Sequence, residues 1–177
     1  PRAELHIHEL QTNNLLNSLR RGVIDLGLLA LPIGSEEFAT ESIGLDNFVL
    51  AMSESHPLAK GKSPLKLDVL RDERVILLEE GHCLRDQVTN VCRLVFSEPS
   101  EVQATSMATL AQMVAAGLGV TLLPECAVKI EAAPGRGIVT RKFVGVPPNR
   151  TVGLVWRKSS PYSRAFTELA ELLTDKK

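Results

Sequence analysis

A nearly uninterrupted apolar run, Asp25 to Leu31, follows a segment with helical spacing, and this pairing restricts the fold more than any other feature. Seven residues with almost no polar position predict a strand buried on both faces. The segment before it, Asn13 to Arg21, places Leu15, Leu16 and Leu19 on one helical face. Thr12 is positioned to cap it, and Gly22 to end it. Before that helix, Leu5-His6-Ile7-His8-Glu9 alternates apolar and polar residues as a strand does. Strand, helix, buried strand is the order of a parallel α/β sheet.

The same alternation returns further on. Phe48–Ser53, Arg74–Leu78, Val102–Thr105, Val120–Leu123, Ile138–Val144 and Thr151–Arg157 read as strands. His56–Lys66 reads as a surface loop and Leu67–Arg71 as a short helix. Ser106 caps a helix with Met107, Leu110, Ala111 and Val114 inward, closed by Gly117, and Pro124 starts the next helix. Pro161–Leu173 aligns Phe166, Leu169, Ala170 and Leu173 as a terminal amphipathic helix. The sequence contains no internal repeat. Two rounds of alternation suggest two α/β lobes.

Three cysteines occur in 177 residues, and two bracket one polar segment, Gly81-His82-Cys83-Leu84-Arg85-Asp86-Gln87 followed by Cys92. A thiol is nucleophilic as its thiolate, which cationic neighbours favour, and His82 and Arg85 flank Cys83. Cys83 reads equally well as a small residue at a loop–helix junction. Leu84, Val88, Val91, Leu94 and Val95 form one apolar stripe and predict a helix over 84–96. On a helix, Cys83 and Cys92 are roughly 13 Å apart along the axis and on roughly opposite faces. A disulfide requires Cα atoms within about 7 Å. If the two thiols pair, this segment has to refold, as a two-state redox element would.

The motif Gly81–Gln87 with its second cysteine resembles the redox centre of the OxyR group, the peroxide-sensing LysR-type transcription regulators. Glu9–Thr12, Ser55-His56-Pro57-Leu58, Ala104–Ser106, Met113–Gly117, Leu122–Pro124 and Thr151–Val155 extend the resemblance over nearly the whole chain. It implies a two-lobed, periplasmic-binding-protein-like (type II) LysR effector domain. Residues 1–46 and 152–177 would form the first lobe and 48–147 the second, with crossings near Asp46–Phe48 and Pro147–Val152. Such domains usually begin with a further strand and long helix, after a helix-turn-helix. The chain therefore resembles an amino-terminally truncated regulatory domain with an incomplete first lobe.

The resemblance also implies roles. Cys83 is the thiol that peroxide oxidises, and Cys92 resolves it as a disulfide. Thr12, His82, Arg85 and Asp86 support peroxide binding. Asp86 serves equally as a first-turn carboxylate meeting the helix dipole. Thr105 and Ser106, at a helix start, form a possible effector or anion site. Implied partners are hydrogen peroxide, a homodimer or homotetramer, a reductant such as a glutaredoxin, and DNA only through the helix-turn-helix. No cofactor is implied.

Composition agrees with this outline. A net charge of −1 without a basic block argues against this chain itself gripping nucleic acid. No apolar run is long enough to span a membrane, and the first residues lack signal-peptide form. A low, odd cysteine count suits a reducing cytoplasm, where a disulfide is regulatory. Cys126 reads as a buried small residue. No zinc pattern emerges from His82, Cys83 and Cys92, and a metal site at His6 and His8 is improbable. Two rivals remain: a LysR-type domain binding a small metabolite without redox chemistry, and a thiol peroxidase. The second lacks peroxidase sequence patterns, so an enzyme is not expected.

Overall fold

The computed structural model describes residues 4–174. In chain order the elements are α1 (Thr12–Arg20), β1 (Gly27–Leu31), β2 (Phe38–Ser53), β3 (Leu77–Leu78), α2 (Cys83–Leu94), β4 (Gln103–Ala104), α3 (Met107–Ala115), β5 (Thr121–Pro124), α4 (Glu125–Glu131), β6 (Ile138–Arg141), β7 (Asn149–Arg157) and α5 (Ser163–Thr174). Short 3-10 turns cover Pro57–Lys60 and Leu67–Asp72.

Strand β2 organises the sheet. Its first part pairs antiparallel with β7, from Phe38↔Arg157 to Asn47↔Asn149, with a bulge between Ser42 and Gly44. From Phe48 onward it pairs instead with β5, and from Leu50 with β6 on its other edge. The 16-residue strand thus passes from one half of the molecule to the other without a break. Period-two alternation then sends Phe48, Leu50 and Met52 into one core and Val49 and Ala51 into another. The larger core also takes Leu70, Ile76, Leu84, Val88, Val91 and Cys92. Separate clusters lie around Leu19, Leu29, Phe38 and Val155, and around Leu154, Trp156 and Ala170.

Parallel pairing holds in the β3–α2–β4 unit, where Leu77 meets Gln103 and Leu78 meets Ala104, with a further parallel bridge from Val75 to Val120. It does not hold for β1, which runs antiparallel to β7 from Gly27↔Val155 to Leu31↔Thr151. Nor is β1 buried on both faces: Leu28 is 60% exposed, because only its Leu29 side meets the core and the Leu28 side opens onto a cavity. Leu5–Glu9 forms no strand, with Ile7 89% exposed. An alternating segment without a partner has nowhere to place its backbone hydrogen bonds in a ladder.

Some helix ends follow local rules and others do not. Gly22 (φ 73°) closes α1 with Gly22 N–H to Leu19 O and Val23 N–H to Ser18 O, the paired bonds of a left-handed C-terminal cap. Ser106 caps α3 by accepting the Thr109 N–H at 3.1 Å. Thr12 is not a cap. Gln11 holds the extended cap conformation, and Thr12 is the first helical residue. Helix α2 begins one residue earlier than its apolar stripe predicts. Leu94 leaves that stripe and is 72% exposed, while Cys92 takes a core position.

Where β2 and β7 pair as cross-strand neighbours, Asp46 meets Arg150. Asp46 Oδ2 accepts from Arg150 Nε at 3.0 Å and Nη2 at 2.9 Å, and Oδ1 accepts the Cys126 N–H at 3.1 Å. Both side chains are largely buried. Removing one partner strands a charge that water cannot reach well. Asp46→Ala should therefore lower unfolding free energy by about 3 kcal/mol in urea titrations. A loss below about 1 kcal/mol would mean that the pair behaves like an exposed surface bridge.

Candidate functional site

Cys83 is the first residue of α2, immediately after the left-handed Gly81 (φ 94°) and the extended cap residue His82. Gly81 is required here by its backbone conformation. Its backbone is unfavourable for other residues, and a Cβ there would lie 3.1 Å from Gln11 Oε1. The loop is thus pressed against the start of α1. Cys83 thus belongs to the first turn of α2, at the helix N-terminus.

Two cavities meet at Cys83. The first, about 540 Å³, joins Thr12 and Asn13 of α1, the Ala30–Gly34 segment, and His82, Cys83, Asp86, Gln87 and Asn90. The second, about 520 Å³, is more apolar, and its lining includes Thr12, Leu28, Leu45, Asp46, Cys83, Cys126 and Arg150. Of the expected residues, the first cavity therefore gathers Thr12, His82, Cys83 and Asp86. Arg85 is not in its lining. Its guanidinium turns back and Nη1 donates to Leu78 O at 2.8 Å, tying the first turn of α2 to the end of β3. Thr105 and Ser106 line neither cavity, and Ser106 Oγ is engaged with Thr109.

Asn13, Gln87 and Asn90 were not anticipated. Cys83, Asp86, Gln87 and Asn90 occupy positions i, i+3, i+4 and i+7, which share one face of a helix. That spacing was visible in the sequence. Gln87 Oε1 is buried without a hydrogen-bond partner, so this polar atom is available to a donor entering the space between α2 and its surroundings.

Cys92 stands in the opposite environment. It is 0% exposed within the larger core. Burial raises its pKa above the ordinary thiol value, partly offset by the neighbouring Ser97 side chain. All three cysteines are free thiols. With Cys83 and Cys92 nine residues apart on one helix, the rise is roughly 13 Å and the faces are opposed. This arrangement holds them well beyond disulfide reach. Cys126 is exposed rather than buried. Its pKa is also raised, first by desolvation and then by Asp46, with Arg150 opposing.

No group of three or more His, Cys, Asp or Glu side chains among the described residues could hold a metal ion. No helix among them is long and apolar enough to cross a membrane.

The domain model "LysR substrate binding domain" matches residues 1–177. A probable hydrogen peroxide-inducible genes activator of Mycobacterium avium is 42% identical over 175 residues, 98% of this chain and 56% of that protein. The chain thus spans about half the length of the curated relatives it matches. A hydrogen peroxide-bound OxyR variant of Corynebacterium glutamicum superposes with a TM-score of 0.89 at 36% identity, covering 97% of this chain and 55% of that one. The reduced regulatory domain of OxyR2 from Vibrio vulnificus gives 0.80 at 38% identity, covering 93% and 78%. The fold is accordingly the two-lobed, periplasmic-binding-protein-like one. From its sequence and its architecture alike, the chain belongs to the LysR substrate-binding domain family, among the OxyR regulatory domains.

Proposed function

We propose that this chain senses hydrogen peroxide as the regulatory domain of a LysR-type transcription factor, through a reversible Cys83–Cys92 disulfide. One observation carries the reading: a single helix presents Cys83 at a polar cavity and hides Cys92 in the core on its opposite face. The names of the Mycobacterium avium relative and of the peroxide-bound Corynebacterium glutamicum structure support it. Cys83 thiolate attacks one peroxide oxygen, the oxygen–oxygen bond breaks, and hydroxide leaves to take a proton. Cys92 sulfur then displaces the hydroxyl of the Cys83 sulfenic acid. The S–S bond forms, the S–O bond breaks, and water departs with the Cys92 proton.

Thr12, His82 and Asp86, lining the cavity with Cys83, hold the peroxide and move its proton in this scheme. Arg85 fixes the first turn of α2 through Leu78 and so keeps Cys83 in place. Thr105 and Ser106 are assigned a secondary anion or effector site. We place the lobe boundaries at residues 1–46 with 152–177, and 48–147, so that the switch lies in the second lobe. The whole protein works in the cytoplasm as a homodimer or homotetramer. It acts as a regulator rather than an enzyme and reaches DNA through a helix-turn-helix. A thiol reductant of the glutaredoxin class resets it.

The order of events is open to direct test. Cys92→Ser should leave a trappable sulfenic acid on Cys83, and Cys83→Ser should abolish reaction at low peroxide. Faster labelling of Cys92 than of Cys83 would reverse the roles. A domain that binds a metabolite without redox chemistry would show no thiol loss in any variant.

Disulfide formation has to unwind part of α2. Amide exchange over residues 84–96 should differ strongly between reduced and oxidised protein, with residues 25–31 and 120–123 little changed. A disulfide formed without any difference in 84–96 would defeat the switch.

The raised pKa of Cys92 has a stability consequence. The unfolded chain releases this proton near the ordinary thiol value of 9.0, before the folded chain does. The stabilisation tied to protonated Cys92 is complete below the unfolded value and is lost as pH rises through the folded one. Urea unfolding of the reduced protein between about pH 7 and pH 10 should fall more steeply with pH than that of Cys92→Ala. Parallel slopes would mean that Cys92 is hydrated in the fold.

A further inference from the structure

Three helices of this chain end with the same pair of backbone bonds, but they do not use the same residue. In α1 and α3 the left-handed position belongs to Gly22 (φ 73°) and Gly117 (φ 76°). In α2 it belongs to Phe96, with φ 55°, the one non-glycine with positive φ among the described residues. Phe96 N–H donates to Arg93 O at 3.2 Å, and Ser97 N–H donates to Cys92 O at 3.0 Å. A side chain in this conformation crowds its own carbonyl. The ring does not recover that cost by packing, because Phe96 is 88% exposed. The strain therefore falls on the turn whose bonds end at the carbonyl of Cys92 itself.

Two contacts hold the turn shut. Arg71 Nε donates to Val95 O at 2.8 Å, and Ser97 Oγ donates to Leu70 O at 2.7 Å. The end of α2 is thus clamped and loaded at once. We propose that Phe96 is a positioning residue for the resolving thiol: its left-handed backbone predisposes the last turn of α2 to open, so that Cys92 is released toward oxidised Cys83. This rests on the redox function proposed above and adds to it what sets the rate of the second step. Peroxide attack at the other end of the helix is untouched by it.

Two variants of the 177-residue chain separate backbone strain from loss of the ring. Phe96→Ala removes the ring and keeps a Cβ at positive φ, whereas Phe96→Gly removes both. Rapid-mixing kinetics with hydrogen peroxide would follow sulfenic acid formation and then disulfide formation. The disulfide step should be slower in Phe96→Gly than in Phe96→Ala by on the order of fivefold. Sulfenic acid formation should be equal in the two. In the reduced state, amides 92–97 should exchange more slowly in the glycine variant. Equal disulfide rates, or equal slowing of both steps, would overturn the proposal. A parent protein that forms no Cys83–Cys92 disulfide would refute the redox function instead. Equal exchange at 92–97 in the two reduced variants would then still overturn the strain at Phe96.

Discussion

Strand β2 is the constraint on which the rest of the structure depends. It supplies partners to β7, β5 and β6 in turn, and its side chains enter both cores of the second half. A continuous strand can join two halves only if its backbone donors and acceptors are satisfied throughout. The change of partners at Asn47–Phe48 achieves this, with Phe48 N–H donating to Pro148 O at 2.8 Å. Beside that change of partners stands the Asp46–Arg150 pair, which also binds the start of α4 through the Cys126 N–H. Charge, ladder and helix terminus are tied together at one point, within a cavity that also reaches Cys83.

Helix α2 carries a conflict that the other helices lack. Leu84, Val88, Val91, Cys92 and Val95 anchor it in the largest core, which favours keeping it wound. Its own geometry keeps Cys83 and Cys92 on opposite faces, so packing and disulfide formation oppose one another. Arg71 and Leu70 of the neighbouring 3-10 segment hold its end through Val95 and Ser97, while Phe96 strains it. An element balanced in this way can be moved by one covalent bond. A helix ended by glycine and packed equally well would resist more.

Much of the site was legible in the chain itself. The Gly81–Gln87 motif, the scarcity of cysteine and the helical spacing after Leu84 were sufficient to locate Cys83 and Cys92 and to place them on one helix. The contact of Arg85 was not legible: its guanidinium donates to the Leu78 carbonyl, seven residues back on another element. Cys126 was read as buried because its neighbours are apolar, but it lies exposed beside Asp46 and Arg150. These differences share a cause: a side chain's partner is set by which elements meet, and neighbouring residues do not carry that information.

By itself the sequence determined what depends on residues within a turn or two of each other. Helix periods, the glycine closures at Gly22 and Gly117, the Ser106 cap and the Gly81–Gln87 motif belong to this class. Tertiary structure alone decided the full length of β2, the antiparallel pairing of β1 with β7, and the exposed state of Leu5–Glu9. It also decided which side chains share the cavity with Cys83. A ladder forms only when a partner arrives from far along the chain, as β7 does for β2 across more than a hundred residues between Asp46 and Arg150. Local periodicity records a tendency to extend, and only the arriving partner turns that tendency into a strand.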